Sequence, residues 1–299
     1  MYEVVIIGGG PAGLSAAIYT ARRGLKTIVI SQDIGGQITK TNEIENYPGL
    51  GIVTGVELAK KLFDQARQFG AEFLFDEVKS FKKDKEIFKI KTSTKEIEGK
   101  VVILCFGKKP RELGVQGEDR LKGHGVSYCA TCDAPFFKDK IISVVGDGNS
   151  AVYAGIASAK VAKTVNVITR GETFSAEQVL IDKLKSSKNV NFIKNVSVTE
   201  IKGDKKVETV VLSNGDEINT DGILIEIGYV IDRKLIEGMV EIDDKGQIVV
   251  DSAQNTSVPG LFAAGDVTNS PFKQIVIAAS EGSKAALSCF SYLQKILKK

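Results

Sequence analysis

The stretch Glu3-Val4-Val5-Ile6-Ile7-Gly8-Gly9-Gly10-Pro11-Ala12-Gly13 decides how the chain folds. It is a short apolar run stopped by glycines at G-x-G-x-x-G spacing: Gly8, Gly10 and Gly13. A helical pattern follows from Leu14 to Arg23, ended by Gly24, and a second apolar run spans Lys26 to Ile30. Strand, glycine turn, helix and strand in this order predict a dinucleotide site. The first glycine makes the tight turn, and the second lets the backbone approach a pyrophosphate. The third lets the helix pack close, with its N-terminal amides facing the negative charge. An acid normally ends the second strand and holds the adenosine ribose. Here that place is taken by Ser31, with Asp33 two residues on.

The same pattern returns roughly 140 residues later. The apolar run Lys140 to Val145 ends in Gly146-Asp147-Gly148-Asn149-Ser150-Ala151, a G-x-G-x-x-A turn with a small-residue helix behind it. Its second strand, Val165 to Ile168, leads into Thr169-Arg170-Gly171-Glu172. An acid at 169 would suit NADH, and paired basic residues would suit the extra phosphate of NADPH. The single arginine, Arg170, leans the reading to NADPH. Asp147 is compatible with a pyrophosphate only if its side chain points away.

Between the two turns stands Cys129-Ala130-Thr131-Cys132-Asp133. The chain has four cysteines, no signal peptide and no apolar run long enough for a membrane helix, so it reads as cytoplasmic. In that setting a C-x-x-C is a redox or a metal pair rather than a structural staple. Zinc would need two further ligands. The one histidine, His124, reads as a surface-loop residue, while Cys105 and Cys289 sit in apolar segments and read as core thiols. No metal site is expected.

Length and composition fit two domains with full cores: 299 residues, 43% hydrophobic and 26% charged. A net charge of +3, carried by scattered lysines, leaves no nucleic-acid footprint. Two capping boxes are expected, Thr54 with Glu57 on a helix closed by Gly70, and Ser175 with Gln178 on a helix to about Lys185. Near the C-terminus, Leu261-Phe262-Ala263-Ala264-Gly265-Asp266 reads as a small-residue strand with a carboxylate at its C-terminal end. That is the edge where open α/β sheets bind ligands. A long helix from about Gln274 to Leu297 follows.

Taken together, Gly8–Gly13, Gly35-Gly36-Gln37, Glu45-Asn46-Tyr47-Pro48-Gly49, Cys129–Asp133 and Ala263–Asp266 resemble the low-molecular-weight thioredoxin reductases, nearly end to end. The tail from Phe272 to Gly282 also resembles the flavoprotein subunit of alkyl hydroperoxide reductase. The resemblance implies an α/β fold of two Rossmann-like dinucleotide-binding domains, the nicotinamide domain inserted into the FAD domain. The FAD domain is expected over 1–109 and 243–299. The NAD(P) domain, carrying the cysteine pair, is expected over 110–242. Linkers near Gly107 to Arg111 and Gly238 to Gly246 are expected to let the insert turn.

For FAD, the resemblance implies Gly8, Gly10, Pro11, Ala12, Gly13, Ser31, Gly36 and Gly265. It adds Asp266 on the ribityl chain, and Gln37, Asn46, Lys273, Gln274 and Ile275 around the flavin. Lys273 replaces an arginine, which keeps the charge and loses the fork. For the nicotinamide nucleotide it implies Gly146, Gly148, Asn149, Ser150 and Arg170. NADPH or NADH is the expected donor. Cys132 would face the flavin, Cys129 would attack the partner's disulfide, and Asp133 would hand over protons. The alternative role for Asp133 is a helix or turn cap. Thioredoxin or a glutaredoxin-like protein is the implied acceptor, and a homodimer the implied assembly. Members fed by ferredoxin or a deazaflavin, and a non-enzymatic flavin redox sensor, are the alternatives. The other donors remain open because the basic residues that grip the NADPH phosphate are mostly absent, whereas the intact flavin and dithiol motifs argue against the sensor.

Overall fold

The computed structural model describes residues 1–40 and 44–297, excepting the side chains of residues 40, 131, 132 and 297. The chain divides into two compact units. One is made of Met1–Lys108 and Ile231–Lys299, the other of Lys109–Val230. No helix among the described residues is long and apolar enough to cross a membrane.

In the first unit, strand Tyr2–Ile7 lies between two parallel neighbours, Thr27–Ser31 and Glu96–Leu104. Glu72–Phe75 extends the parallel layer beyond Thr27–Ser31. Strand Glu96–Leu104 serves two partners on its other side. Its first half pairs antiparallel with Ile87–Thr92, and its second half pairs parallel with Leu261–Ala263. The register aligns Ile7 with Ile30 and Leu104, and Leu104 with Ala263. The turns that follow these strands therefore open on one edge.

Val4, Val5 and Ile6 are fully buried, because this sheet is covered on both faces. On one face, Val4 and Ile6 pack against the alanine-rich helices Pro11–Arg22 and Ile275–Leu297. On the other, Val5 and Ile7 pack with Phe81, Phe88, Ile236, Ile248 and Val267. The two helices come into backbone contact at Gly282. A Cβ on Gly282 would stand 2.0 Å from the backbone oxygen of Ala12. Beside that contact, the hydroxyls of Ser15 and Ser283 are 2.9 Å apart. The helix Gly55–Gln68 has the expected capping box, with both the Thr54 and the Glu57 hydrogen bonds made.

The second unit is a five-stranded parallel sheet in the order Val190–Ile193, Thr164–Ile168, Ile141–Val145, Gly222–Ile225, Val126–Ser127. Helices Asn149–Ala159 and Gln178–Lys185 pack on it. Strands Val198–Lys202, Thr209–Leu212 and Glu217–Asn219 form a small antiparallel sheet, turning at Gly215 with φ +89°.

Two expectations need correction. The chain returns to the first unit after Val230, not after residue 242. Ile236 is fully buried in the first unit's core, and Ile231, Leu235, Met239, Val240 and Ile242 pack around it. Gly238 to Gly246 is therefore part of that unit's covering layer and not a linker. The second capping box is absent. The helix is capped at Glu177 with no side-chain bond, and the Ser175 hydroxyl is used elsewhere, on Asp147.

The helix crossing gives a stability test. A glycine-to-alanine change inside a helix gains about 1 kcal/mol from propensity. Forcing a methyl into a closed contact costs about 1–3 kcal/mol. Gly282→Ala should therefore lower the urea midpoint at fixed flavin concentration, against the propensity trend. An unchanged or raised midpoint would show that the helices can separate freely.

Candidate functional site

Each unit carries a glycine turn on its C-terminal sheet edge, and the surroundings assign the glycines different tasks. In the first turn Gly8 has φ +111°, and a Cβ there would stand 2.3 Å from the Cys105 backbone oxygen. On Gly13 it would stand 1.9 Å from the Gly8 oxygen. These two positions are closed by packing. Gly10 is open, with the Gly35 oxygen as the nearest atom to an added Cβ at 3.8 Å. Gly36, φ +57°, faces the same space, its nearest neighbour being the Gly10 Cα at 3.7 Å. Pro11 and Ala12 start a helix whose N-terminal amides receive no side-chain cap at Gly10. An open cradle beside uncapped helix amides suits the pyrophosphate of a dinucleotide such as FAD.

Loop residues hold that cradle in place. Ser31 accepts a hydrogen bond from the Gly9 amide at 2.9 Å, so its hydroxyl braces the turn. Gly35 N donates to Gly9 O at 2.8 Å, and Gly36 N to Asp33 Oδ1 at 3.1 Å. Gln37 Nε2 donates to Lys108 O at 3.0 Å, and Asn46 Nδ2 to Gln274 Oε1 at 3.3 Å. Ile275 begins the long helix. Gly265, φ +81°, presses on Ala12, and a Cβ there would meet the Ala12 Cβ at 2.9 Å. That contact brings half-buried Asp266 beside the start of the first helix. Lys273 Nζ donates to Thr268 O at 2.6 Å, and burial, then the nearby charge of Lys108, holds its ammonium below the usual lysine range.

The floor of this site has a residue that the sequence reading missed. Glu281 is 6% exposed, and its Oε2 accepts from the Gly265 amide at 2.8 Å. A carboxylate amid Ala278, Ala279, Gly282 and Ala285 on the apolar face of a helix was the available signal.

The second turn repeats the construction. A Cβ on Gly146 (φ +140°) would stand 2.2 Å from the Glu226 oxygen, and Ala151 at the third position is fully buried. Gly148 is open, with the Ser175 Oγ nearest at 3.8 Å. Asn149 and Ser150 start the helix, exposed and without a side-chain cap at Gly148. Ser175 donates to Asp147 Oδ1 at 3.1 Å, while Asn149 and Glu177 exchange two hydrogen bonds at 2.8 and 3.0 Å. Arg170 is exposed just beyond its strand.

In the same unit Cys129 is disulfide-bonded, whereas Cys105 and Cys289 in the first unit are free and buried. The side chain of Cys132 lies outside the described residues. Residues Ala130–Asp133 form one helical turn, anchored by Cys129 N on Ser127 Oγ at 3.0 Å and Asp133 N on Cys129 O at 3.1 Å. Asp133 makes no side-chain cap to the turn Ala134–Phe137. Tyr128, directly before Cys129, donates to Glu118 at 2.7 Å. Glu118 is 2% exposed and also accepts from Leu113 N and Gly114 N. Burial first, and Glu118 next, push the Tyr128 phenol well up from its ordinary value. Glu118 and Tyr128 were not singled out from sequence, since nothing local pairs them.

The profile of the pyridine nucleotide-disulphide oxidoreductase family matches residues 2–282. The chain belongs to this family. It is 39% identical to a thioredoxin reductase of Listeria monocytogenes, over 99% of this chain and 95% of that protein. The crystal structure of Lactococcus lactis thioredoxin reductase matches with a TM-score of 0.88 at 34% identity, covering 99% of this chain and all of that one. The T. acidophilum thioredoxin reductase structure gives a TM-score of 0.84 at 40% identity, covering 99% of each chain. Within the family the chain is of the low-molecular-weight thioredoxin reductase type, an oxidoreductase with two Rossmann-like domains. The cofactors of that type, FAD and NAD(P)H, match in number the two open glycine cradles.

The open and closed glycines make separable predictions. Gly10→Ala, at φ −76°, should fold normally and retain less flavin on gel filtration, by about tenfold or more in affinity. Gly13→Ala should lower the unfolding midpoint of the apoprotein, because its methyl meets backbone. Equal effects of both changes on folding would remove the distinction.

Proposed function

We propose that this protein is an FAD-dependent thioredoxin-disulfide reductase fed by NAD(P)H. The single observation that carries the reading is the disulfide-bonded Cys129 on its one-turn helix, in a unit that also bears a glycine turn. The first cradle, Gly8 to Gly13 with Gly36, would hold the FAD pyrophosphate, with Asp266, Gln37, Asn46, Lys273 and Gln274 around the rest. Gly146, Gly148, Asn149, Ser150 and Arg170 would hold the nicotinamide nucleotide. FAD, when bound, supplies the means of turning a hydride from the nicotinamide into two electrons for a disulfide.

The remaining steps belong to the chain's own residues. Cys129 and Cys132 form the disulfide, and two electrons with two protons open it to a dithiol. Cys129 releases its proton to become the attacking thiolate, and Asp133 takes the proton of Cys132 when that sulfur resolves the mixed disulfide, so that the two protons end on the departing partner dithiol. Cys129 then attacks the disulfide of thioredoxin, or of a glutaredoxin-like protein, and forms a mixed disulfide. Cys132 resolves it, the partner departs as a dithiol, and the Cys129–Cys132 bond is restored. Residues 1–108 with 231–299 act as the FAD domain, 109–230 as the nucleotide domain, and the working assembly is a homodimer.

Anaerobic titration tests this directly. NADH or NADPH should bleach the flavin, and adding oxidised thioredoxin should restore its colour. Cys129→Ser and Cys132→Ser should keep the bleaching and lose thioredoxin reduction by at least about 10³-fold. Full reduction by either variant would overturn the proposal. Bleaching by ferredoxin or a deazaflavin alone would move the donor and leave the dithiol chemistry standing. A protein that bleaches but reduces no disulfide would be a sensor.

A further inference from the structure

We propose that Asp147 sets the nucleotide preference of the second glycine turn, admitting NADH and turning away NADPH. The inference rests on the proposed function above and names the donor within it. A dinucleotide on such a turn lays its adenosine ribose between the glycines and the end of the second strand. The residue there, Thr169, is 2% exposed and its hydroxyl is committed to Gly171 O at 2.8 Å. The strand end thus offers the ribose no carboxylate. The turn supplies one instead.

Two hydrogen bonds fix it. Ser175 N donates to the Asp147 backbone oxygen at 3.0 Å, and Ser175 Oγ donates to Asp147 Oδ1 at 3.1 Å. The loop after the second strand is thereby tied to the glycine turn at the mouth of the open space above Gly148. Oδ2 of Asp147 has no hydrogen-bond partner among the described residues and is free to accept from a ribose 2′-hydroxyl. A 2′-phosphate in that place would bring up to two negative charges against a fixed carboxylate.

The cations nearby do not offset this. Lys194 is taken by Glu172 at 2.9 Å. Arg170 is exposed and makes no ion pair among the described residues, so solvent and salt screen it. Glu177, bonded to Asn149 at the helix start, adds a second carboxylate. Arg170 alone leaned the sequence reading toward NADPH; the Asp147–Ser175 pair reverses that.

The test is calorimetric titration of the oxidised, FAD-loaded protein with NAD⁺ and with NADP⁺, which turn nothing over. The wild type should bind NAD⁺ more tightly by about tenfold or more. Asp147→Asn, which keeps the shape and removes the charge, should shrink the ratio by raising NADP⁺ affinity. Asp147→Gly should do the same if the asparagine variant fails to retain flavin. Wild type binding NADP⁺ as tightly as NAD⁺, binding neither nucleotide, or a ratio unmoved in both variants would overturn the assignment. Dithionite-reduced enzyme mixed with oxidised thioredoxin separates the two readings. Intact transfer there with a failed titration sinks only the donor, whereas lost transfer sinks the function itself.

Discussion

The first unit depends on backbone meeting backbone where no side chain fits. Gly13 lies against the Gly8 oxygen and Gly282 against the Ala12 oxygen, at separations that a Cβ would reduce to 1.9 and 2.0 Å. These contacts set the height of the first helix over the sheet and of the long C-terminal helix over the first. With that height fixed, Gly265 reaches Ala12, and Asp266 comes to the mouth of the turn. The binding edge is assembled from segments some 250 residues apart because three glycines remove the atoms that would keep them apart.

The two glycine turns share this construction and differ in how the loop after the second strand is tied down. In the first unit a neutral hydroxyl, Ser31, accepts from the Gly9 amide, and the carboxylate of Asp33 is turned to the Gly36 amide. In the second the tie is made by Asp147, a charge within the turn itself. Packing tolerates both, since the middle residue of each turn faces the loop and not the helix. Electrostatically they differ, because the first tie at the turn is a neutral hydroxyl and the second is a carboxylate.

Much of this was legible in the sequence, for a physical reason. The glycine spacings, the Thr54–Glu57 box and the small-residue run before Asp266 are local patterns whose partners lie within a few residues. The order of segments followed from the resemblance. What escaped were features whose partners are distant. Ser175 has the look of an N-cap, but its hydroxyl goes to Asp147, 28 positions earlier. Glu118 and Glu281 were not singled out, because the backbone amides they bind are delivered by the fold. The domain crossing was misplaced because Ile231 to Ile242 carries polar and glycine residues like a linker. Its apolar members find their partners only in a sheet built from the other end of the chain.

The cysteines show how position alone divides one residue type into two chemistries. Cys105 and Cys289 are enclosed by apolar side chains, and burial pushes both thiols far up from their ordinary value. A thiol held in its protonated form is a poor nucleophile toward a disulfide. Cys105 also closes the turn at Gly8 through its backbone oxygen, so its place is fixed by packing rather than by reactivity. Cys129 is only partly buried, on a turn whose amides are anchored by Ser127 and whose preceding tyrosine is held by Glu118. The core thus encloses two sulfurs, and the anchored turn leaves a third only partly covered.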